Sequence, residues 1–249
     1  MFTLFETPVW FAGFDLALDT VAFLIALVIS SYSFKLFRLS SNRKFGYFSL
    51  AFGLMSIGLL FKLATYAVIY SSTSQFVAAT TIEVVTGMNG VDLSMRNLLY
   101  RFGFFVQMAA TLGSLLLLYL VSQKSRDRLK QFYEISQISL FTYFVLFVSV
   151  VATFKFFVFY LTSMILLALI VLNYYQNYLQ KRSTNSWRVL VAFSCLLCAQ
   201  LFFVLIMASS WSYFVAEILT IISFGIIAKV YMEVNAIQKK TPSTQGGQQ

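Results

Sequence analysis

The chain has 249 residues, of which 59% are hydrophobic and only 11% are charged, and its formal net charge at pH 7 is +9. Soluble domains carry about 25% charged residues, so this composition excludes a soluble enzyme, a disordered chain and a nucleic-acid-binding protein. There is no histidine, which excludes mechanisms that need an imidazole base or ligand. Two cysteines are too few for a disulfide framework. The composition predicts an integral membrane protein.

Apolar stretches between charged residues define the predicted elements. Residues 1–13 lack the basic segment of a cleavable signal peptide and are predicted to be a short outer tail. A bilayer core of about 30 Å needs about 20 apolar residues in a helix. The polar run Ser209–Ser212 divides the last apolar stretch into two spans. The result is an all-α bundle of seven predicted transmembrane helices, at about 14–37, 45–70, 97–122, 132–154, 156–179, 187–208 and 212–235.

Two segments of the chain fall outside these spans. The connection 71–95 is predicted to be an outer loop and the most mobile ordered part of the protein. It contains either a short hairpin with an Asn89-Gly90 turn or an extension of the second helix. Residues 236–249 are polar and Gly-rich, which predicts a disordered cytoplasmic tail.

The positive charges predict the orientation of the bundle. Fourteen of the 18 Lys and Arg residues follow the odd-numbered spans, and six of the nine acids lie on the opposite side. The positive-inside rule then places the N-terminus outside and the C-terminus in the cytoplasm. Topology therefore explains the net charge, and the predicted partner is the lipid bilayer rather than a nucleic acid.

Charged residues within the spans are the candidate ligand-binding site. Counted along the helices at 1.5 Å per residue, Asp19, Lys62 and Glu217 lie at one depth just inside the outer interface, and Arg101 and Lys155 lie at or slightly above it. Intramembrane charges usually face the interior and pair. We expect Lys62 to pair with Asp19 or, if the bundle closes, with Glu217. The alternatives are a ligand or ion pocket, purely structural ion pairs, or side chains that reach the headgroup region.

Uncharged polar and small residues in the spans suit packing roles. Gln107, Gln200 and Asn173 are expected to form hydrogen bonds between helices, and Ser49-xxx-Gly53 and Ala109-xxx-Gly113 to form close-packing faces. Cys195-xx-Cys198 has no further ligand nearby, so the two thiols are interpreted as small apolar groups. No metal and no cofactor is expected.

Known membrane enzymes and receptors with similar helix numbers require residues that this sequence lacks. Zinc hydrolases and rhomboid-type proteases need histidine, and metal-dependent transferases need clustered Asp in the inner half. Asn89-Gly90-Val91-Asp92 lacks the first glycine of the presenilin-type motif, and Lys229 lies too far inward for a retinal-binding lysine. The spans contain no proline to mark the interrupted helices of many transporters. We therefore expect a protein that is not an enzyme.

One segment resembles a known family. Residues 35–54, Lys-Leu-Phe-Arg-Leu-Ser-Ser-Asn-Arg-Lys-Phe-Gly-Tyr-Phe-Ser-Leu-Ala-Phe-Gly-Leu, are similar to the inner hairpin of seven-helix membrane modules in archaeal and bacterial sensor proteins. In that family the module commonly precedes a cytoplasmic effector. The residues after the last predicted span are too few for an effector, so the resemblance implies a separate membrane or cytoplasmic protein partner.

The sequence as a whole predicts a multi-pass protein of a prokaryotic plasma membrane. Its expected role is a non-enzymatic sensor or assembly subunit with a charged pocket on the outer side. The alternatives are a small-solute or ion transporter that uses the same charges, and a structural scaffold subunit.

Overall fold

The structure is a computed structural model that describes residues 14–40, 42–70, 93–123, 156–207 and 211–240. Within these ranges the chain is helical except at Asn42, Arg182 and Ser183, and a short 3₁₀ helix, Leu205–Met207, follows the fifth α-helix. The α-helices are α1 (Phe14–Ser40), α2 (Arg43–Tyr70), α3 (Leu93–Gln123), α4 (Phe156–Lys181), α5 (Thr184–Val204) and α6 (Trp211–Lys240).

All six helices are long and apolar enough to cross a membrane. They coincide with six of the seven predicted spans, and the all-helical architecture is that of a polytopic membrane protein. The predicted fourth span, 132–154, lies outside the described residues, as do the tail 1–13 and the part 71–92 of the predicted outer loop. The predicted mobility of that loop therefore stays a prediction.

Helix ends differ from the predicted boundaries at two places. Helix α3 begins at Leu93, so residues 93–95 are helical rather than part of the outer loop. Helix α6 continues through Lys240, so residues 236–240 extend the helix instead of belonging to a disordered tail. The extensions are Leu93-Ser94-Met95 and Ala236-Ile237-Gln238-Lys239-Lys240. A count of apolar residues between charges stops near the edge of the membrane, while the backbone hydrogen bonds of a helix continue beyond it.

The inner connections show why two of the helices start where they do. At the start of α2, the side-chain oxygen of Asn42 accepts a hydrogen bond from the backbone amide of Lys44 at 3.1 Å. Ser183 is the N-cap of α5, and its hydroxyl accepts from the amide of Ser186 at 3.2 Å. Such side chains satisfy amides that have no partner inside the helix. The helices on either side of these connections pack against each other.

The six helices close into a ring. Each helix packs against the next along the chain, and α6 packs against α1. Small residues of α1, namely Ala22, Ala26 and Ser33, are almost completely buried, which allows the neighbouring helices to approach closely. Larger side chains from the other helices fill the core, among them Phe52, Phe104, Met108, Leu167, Phe193 and Ile227.

Contacts between the helices define two ends of the bundle. We call the end at which α1, α3, α4 and α6 begin the outer end, because the sequence predicts it to face outside, and the opposite end the inner end. The ring of Phe48 in α2 stacks on that of Tyr231 in α6, with centroids 4.7 Å apart, in the inner half. This contact fixes the register of α2 against α6, on which the position of the charged residues depends.

Candidate functional site

Lys62 joins three helices in the outer half of the bundle. Its Nζ atom donates to Asp19 Oδ1 of α1 at 2.8 Å and to Glu217 Oε1 of α6 at 3.1 Å. The side chains of Lys62, Asp19 and Glu217 are 9%, 2% and 3% exposed. We call these three residues the ion-pair cluster. The predicted pairing of Lys62 is confirmed, and it involves both acids rather than one of them.

Packing in the inner half brings these residues to one level. Lys62 lies 14 residues beyond Phe48 along α2, and Glu217 lies 14 residues before Tyr231 along α6. At 1.5 Å per residue each helix covers ~21 Å between the stacked rings and the charges. Because α2 and α6 are antiparallel, both segments extend from the stack toward the outer end, and Lys62 and Glu217 meet at the same height.

The geometry excludes an ammonium group that reaches out to the lipid headgroups. A snorkelling lysine keeps its charged end in water, whereas the Lys62 side chain is almost fully buried between two carboxylates. Charges inside a membrane are costly unless they pair. The cluster is therefore an interior feature of the ring and not an interfacial anchor.

The cluster contains more acid than base. Two carboxylates share one ammonium group, so the three ionised side chains carry a formal charge of −1. The second oxygen of Asp19, Oδ2, is buried and has no hydrogen-bond partner among the residues that the structure describes. The site thus offers one oxygen that could accept a hydrogen bond or coordinate a cation.

Asp15 is a further acid in this region that the sequence reasoning did not select. It is completely buried in the first turn of α1, and its Oδ1 accepts a hydrogen bond from the amide of Leu16 at 2.8 Å. It precedes Asp19 by four residues, which places both on the same face of the helix. That spacing was the signal in the sequence that could have identified it.

Two other predicted site residues cannot be compared with the cluster. Lys155 lies outside the described residues, and Arg101 belongs to α3 but its side chain is outside the described part. The charged candidates that the structure brings together are therefore Asp19, Lys62 and Glu217.

The uncharged polar residues of the spans have different environments. Asn173 of α4 donates to Ser122 Oγ of α3 at 3.0 Å, which confirms the predicted hydrogen bond between helices. The side-chain carbonyl oxygens of Gln107 and Gln200 are buried and accept no hydrogen bond within the described ranges, so for these two oxygens the expectation was wrong.

The Ser49-xxx-Gly53 face packs closely against α1, as the sequence predicts, because Ser49 and Ser30 form hydrogen bonds across the contact. A methyl group added at Gly53 would lie 3.4 Å from Ser30 Oγ, and one added at Gly113 would lie 3.9 Å from Leu54 Cδ1. Cys195 and Cys198 are free thiols that line an apolar surface groove of about 410 Å³ on α4, α5 and α6. In the described residues no group of three or more acids, cysteines or histidines has the arrangement of a metal site.

A second ion pair lies at the inner end of the bundle. Arg188 of α5 donates to Glu233 of α6. The two side chains are 39% and 40% exposed, so solvent screens this pair and its contribution to stability is at most about 1 kcal/mol. It provides an internal reference for the buried cluster.

The fold and the site together define a polytopic helical membrane protein with a buried ion-pair cluster in the outer half of its helical ring. Comparison with known proteins found no matching family model, no matching curated protein and no matching solved structure.

Proposed function

We propose that this protein is a non-enzymatic membrane sensor or assembly subunit. In this proposal the ion-pair cluster holds the outer ends of α1, α2 and α6 together until a ligand or a partner protein changes the contact. The seven-helix, N-out arrangement predicted from the charges is part of the proposal, with 132–154 as the remaining span. The observation that carries it is the buried bridge from Lys62 to Asp19 and Glu217.

A charged bridge suits a switch better than a fixed support. Replacing a buried ion pair by packed apolar side chains is often neutral or stabilising, whereas removing one partner is strongly destabilising. A bundle that needed only rigidity would gain little from Lys62 over an apolar residue. A cluster of charges, by contrast, can be opened by a change of one charge, and the change then acts on three helices at once. A separate membrane or cytoplasmic protein would receive the signal.

A cation-coupled transporter is the second candidate function. The observation in its favour is the excess of acid in the cluster, because a buried carboxylate oxygen without a partner suits a transported cation. Against it, α1, α2 and α6 continue through the site as unbroken helices, whereas many transporters bind substrate at helix interruptions. A flux assay in liposomes separates the two functions, since the sensor carries no flux of Na⁺, K⁺ or protons.

The proposal is tested by the separation of α1 and α6 at the outer end. Spin labels are attached to cysteines at the exposed positions Val21 and Val215 in a background with Cys195→Ala and Cys198→Ala. The distance distribution is then measured with Lys62 intact and with Lys62→Met. We expect one narrow distance with Lys62 and a second, longer one in Lys62→Met.

A matched control removes a different ion pair. Glu233→Gln breaks the pair with Arg188 at the inner end and leaves the cluster intact, so the distance between the labels should not change. If Lys62→Met leaves the distance distribution unchanged while the protein remains folded, the cluster is a structural support and the scaffold function replaces the sensor.

A further inference from the structure

The ion-pair cluster is the interior site at which the described residues present a surplus of one charge. Lys62 contributes +1, and Asp19 and Glu217 contribute −1 each when ionised. All three residues are less than a tenth exposed, so bulk water does not solvate the remaining negative charge. An uncompensated buried charge strongly destabilises the folded protein, and the usual compensation is a proton or a bound cation.

The second carboxylate oxygen of Asp19, Oδ2, is the place for such a compensating charge. Lys62 Nζ donates to Asp19 Oδ1, while Asp19 Oδ2 is buried and makes no hydrogen bond in the described ranges. Besides Asp19, the charged side chains that the structure describes in the outer half of the adjoining helices are Asp15 on α1, Lys62 on α2 and Glu217 on α6. Of these, the two acids raise the local negative potential and attract a positive ion, while Lys62 opposes it without reaching Oδ2.

We propose that the ion-pair cluster binds one monovalent cation, a proton or Na⁺, at Asp19 Oδ2. This inference rests on the proposed function in that it names the ligand class of the same site. A divalent ion is disfavoured because it would turn the formal charge of the cluster from −1 to +1, whereas a monovalent cation makes it zero. The bound cation makes the cluster neutral as a whole and keeps α1, α2 and α6 together.

Thermal unfolding of the purified full-length protein in detergent tests this inference. A cation that binds the folded protein but not the unfolded chain raises the Tm as its concentration rises. In the first arm the pH is lowered from about 9 to about 6, well above the range in which an exposed Asp binds a proton, with choline as the sole salt cation. In the second arm Na⁺ replaces choline at pH about 9 and constant ionic strength. The arm in which the Tm rises identifies the cation.

Variants show which residues are needed for the rise of the Tm. For a chain of this size we expect a rise of about 5 °C or more at saturation in the wild type, and its loss in Asp19→Asn. That variant removes the surplus charge and keeps the pair of Lys62 with Glu217, so it should fold. Glu217→Gln is the second variant, because it also leaves one neutral pair and should also abolish the response. Glu233→Gln is the control and should respond as the wild type does.

Three results would overturn the inference. These are a Tm that is constant in both arms, a response retained in either Asp19→Asn or Glu217→Gln, and a response lost equally in Glu233→Gln. A constant Tm together with a change in the spin-label distance in Lys62→Met removes the cation and leaves the sensor. A cation response without any change of distance removes the sensor and leaves the cation site.

Discussion

Ser30 of α1 and Ser49 of α2 exchange hydrogen bonds with each other's helix. Ser30 Oγ donates to the carbonyl oxygen of Ser49, and Ser49 Oγ donates to the carbonyl oxygen of Ser30, both at 2.9 Å. Next to them, Ser33 Oγ donates to the carbonyl oxygen of Phe45 at 2.9 Å. These three bonds tie the inner halves of α1 and α2 into one antiparallel pair.

Replacing either of the two exchanging serines should weaken this pair modestly. Hydrogen bonds between membrane helices contribute on average about 0.6 kcal/mol and at most about 1.7 kcal/mol. We expect Ser30→Ala and Ser49→Ala each to lower stability by an amount in this range, with less than the summed effect in the double variant. Reversible unfolding in mixed detergent measures it. Ser56→Ala is the control, because Ser56 Oγ donates to the carbonyl oxygen of Phe52 in its own helix; an equal loss there would contradict the prediction.

Gly103 should tolerate no side chain. A methyl group at this position of α3 would lie 2.5 Å from Thr65 Oγ1 of α2, and the branched Thr65 side chain is held by a hydrogen bond to the carbonyl oxygen of Phe61. We expect Gly103→Ala to cost about 1–3 kcal/mol, as overpacking does, and the added change Thr65→Ala to recover most of it. Gly225 has open space around it, so Gly225→Ala should be neutral or stabilising, and a loss there equal to that of Gly103→Ala would argue against a steric cause.

Replacements of the three residues in the ion-pair cluster should lower stability by different amounts. Lys62→Met leaves two buried carboxylates without a cation, and breaking a buried pair in this way costs about 3–5 kcal/mol. Asp19→Asn and Glu217→Gln each leave Lys62 with one acid and should cost clearly less. Tm values in detergent give the order, and double-mutant cycles of Lys62→Met with Asp19→Leu and with Glu217→Leu should both show coupling. Coupling to one acid alone would mean that the contact of Lys62 with the other acid contributes nothing to stability.

The inner ion pair should contribute little by comparison. Arg188 and Glu233 are partly exposed, and pairs of this kind contribute about 0.2–1 kcal/mol. We expect Glu233→Gln to reduce stability by no more than that, and by less at high salt, because solvent ions screen exposed charges. Unfolding at low and high salt measures the difference, and a loss as large as that of Lys62→Met would contradict the role of burial.

The orientation of the chain can be tested by labelling single cysteines in intact membranes. In a background without Cys195 and Cys198, cysteines introduced at Ser41, Ser125 and Ser183 should be protected from a membrane-impermeant reagent added outside, because the positive-inside rule places all three in the cytoplasm. They should react after the membrane is permeabilised. Labelling of any one of them from outside would overturn the predicted topology.

The depth of the charged residues in the membrane was predictable, because it follows from counting residues along each helix. The height of Lys62, Asp19 and Glu217 follows from the rise per residue, and the polar run before Trp211 marked the end of one helix and the start of the next. The sequence did not decide whether Lys62 pairs with Asp19 or with Glu217, because counting residues does not show which helices are neighbours in the ring. The packing of α6 against α1 decides it, and both acids come within reach.

Rotation of each helix about its axis was not predictable in the same way. The helices are apolar on most sides, so the sequence does not show which face is buried. Asp15 was therefore not selected as a candidate site residue, although it is completely buried. The same limit applies to Ser30, whose partner depends on which face of α1 meets Ser49. Ser49 and Gly53 were identified because small residues four apart mark a close approach of helices.

The exchange between Ser30 and Ser49 determines how the bundle can move. With α1 and α2 bound to each other in the inner half, a force applied at the outer end displaces α6 relative to the pair as a whole. The stacked rings of Phe48 and Tyr231 then act as a pivot, and the ~21 Å of helix between Tyr231 and Glu217 acts as a lever arm. A tilt of a few degrees about this pivot is enough to move Glu217 away from Lys62. A small rotation in the inner half of the bundle thus breaks an ion pair in the outer half.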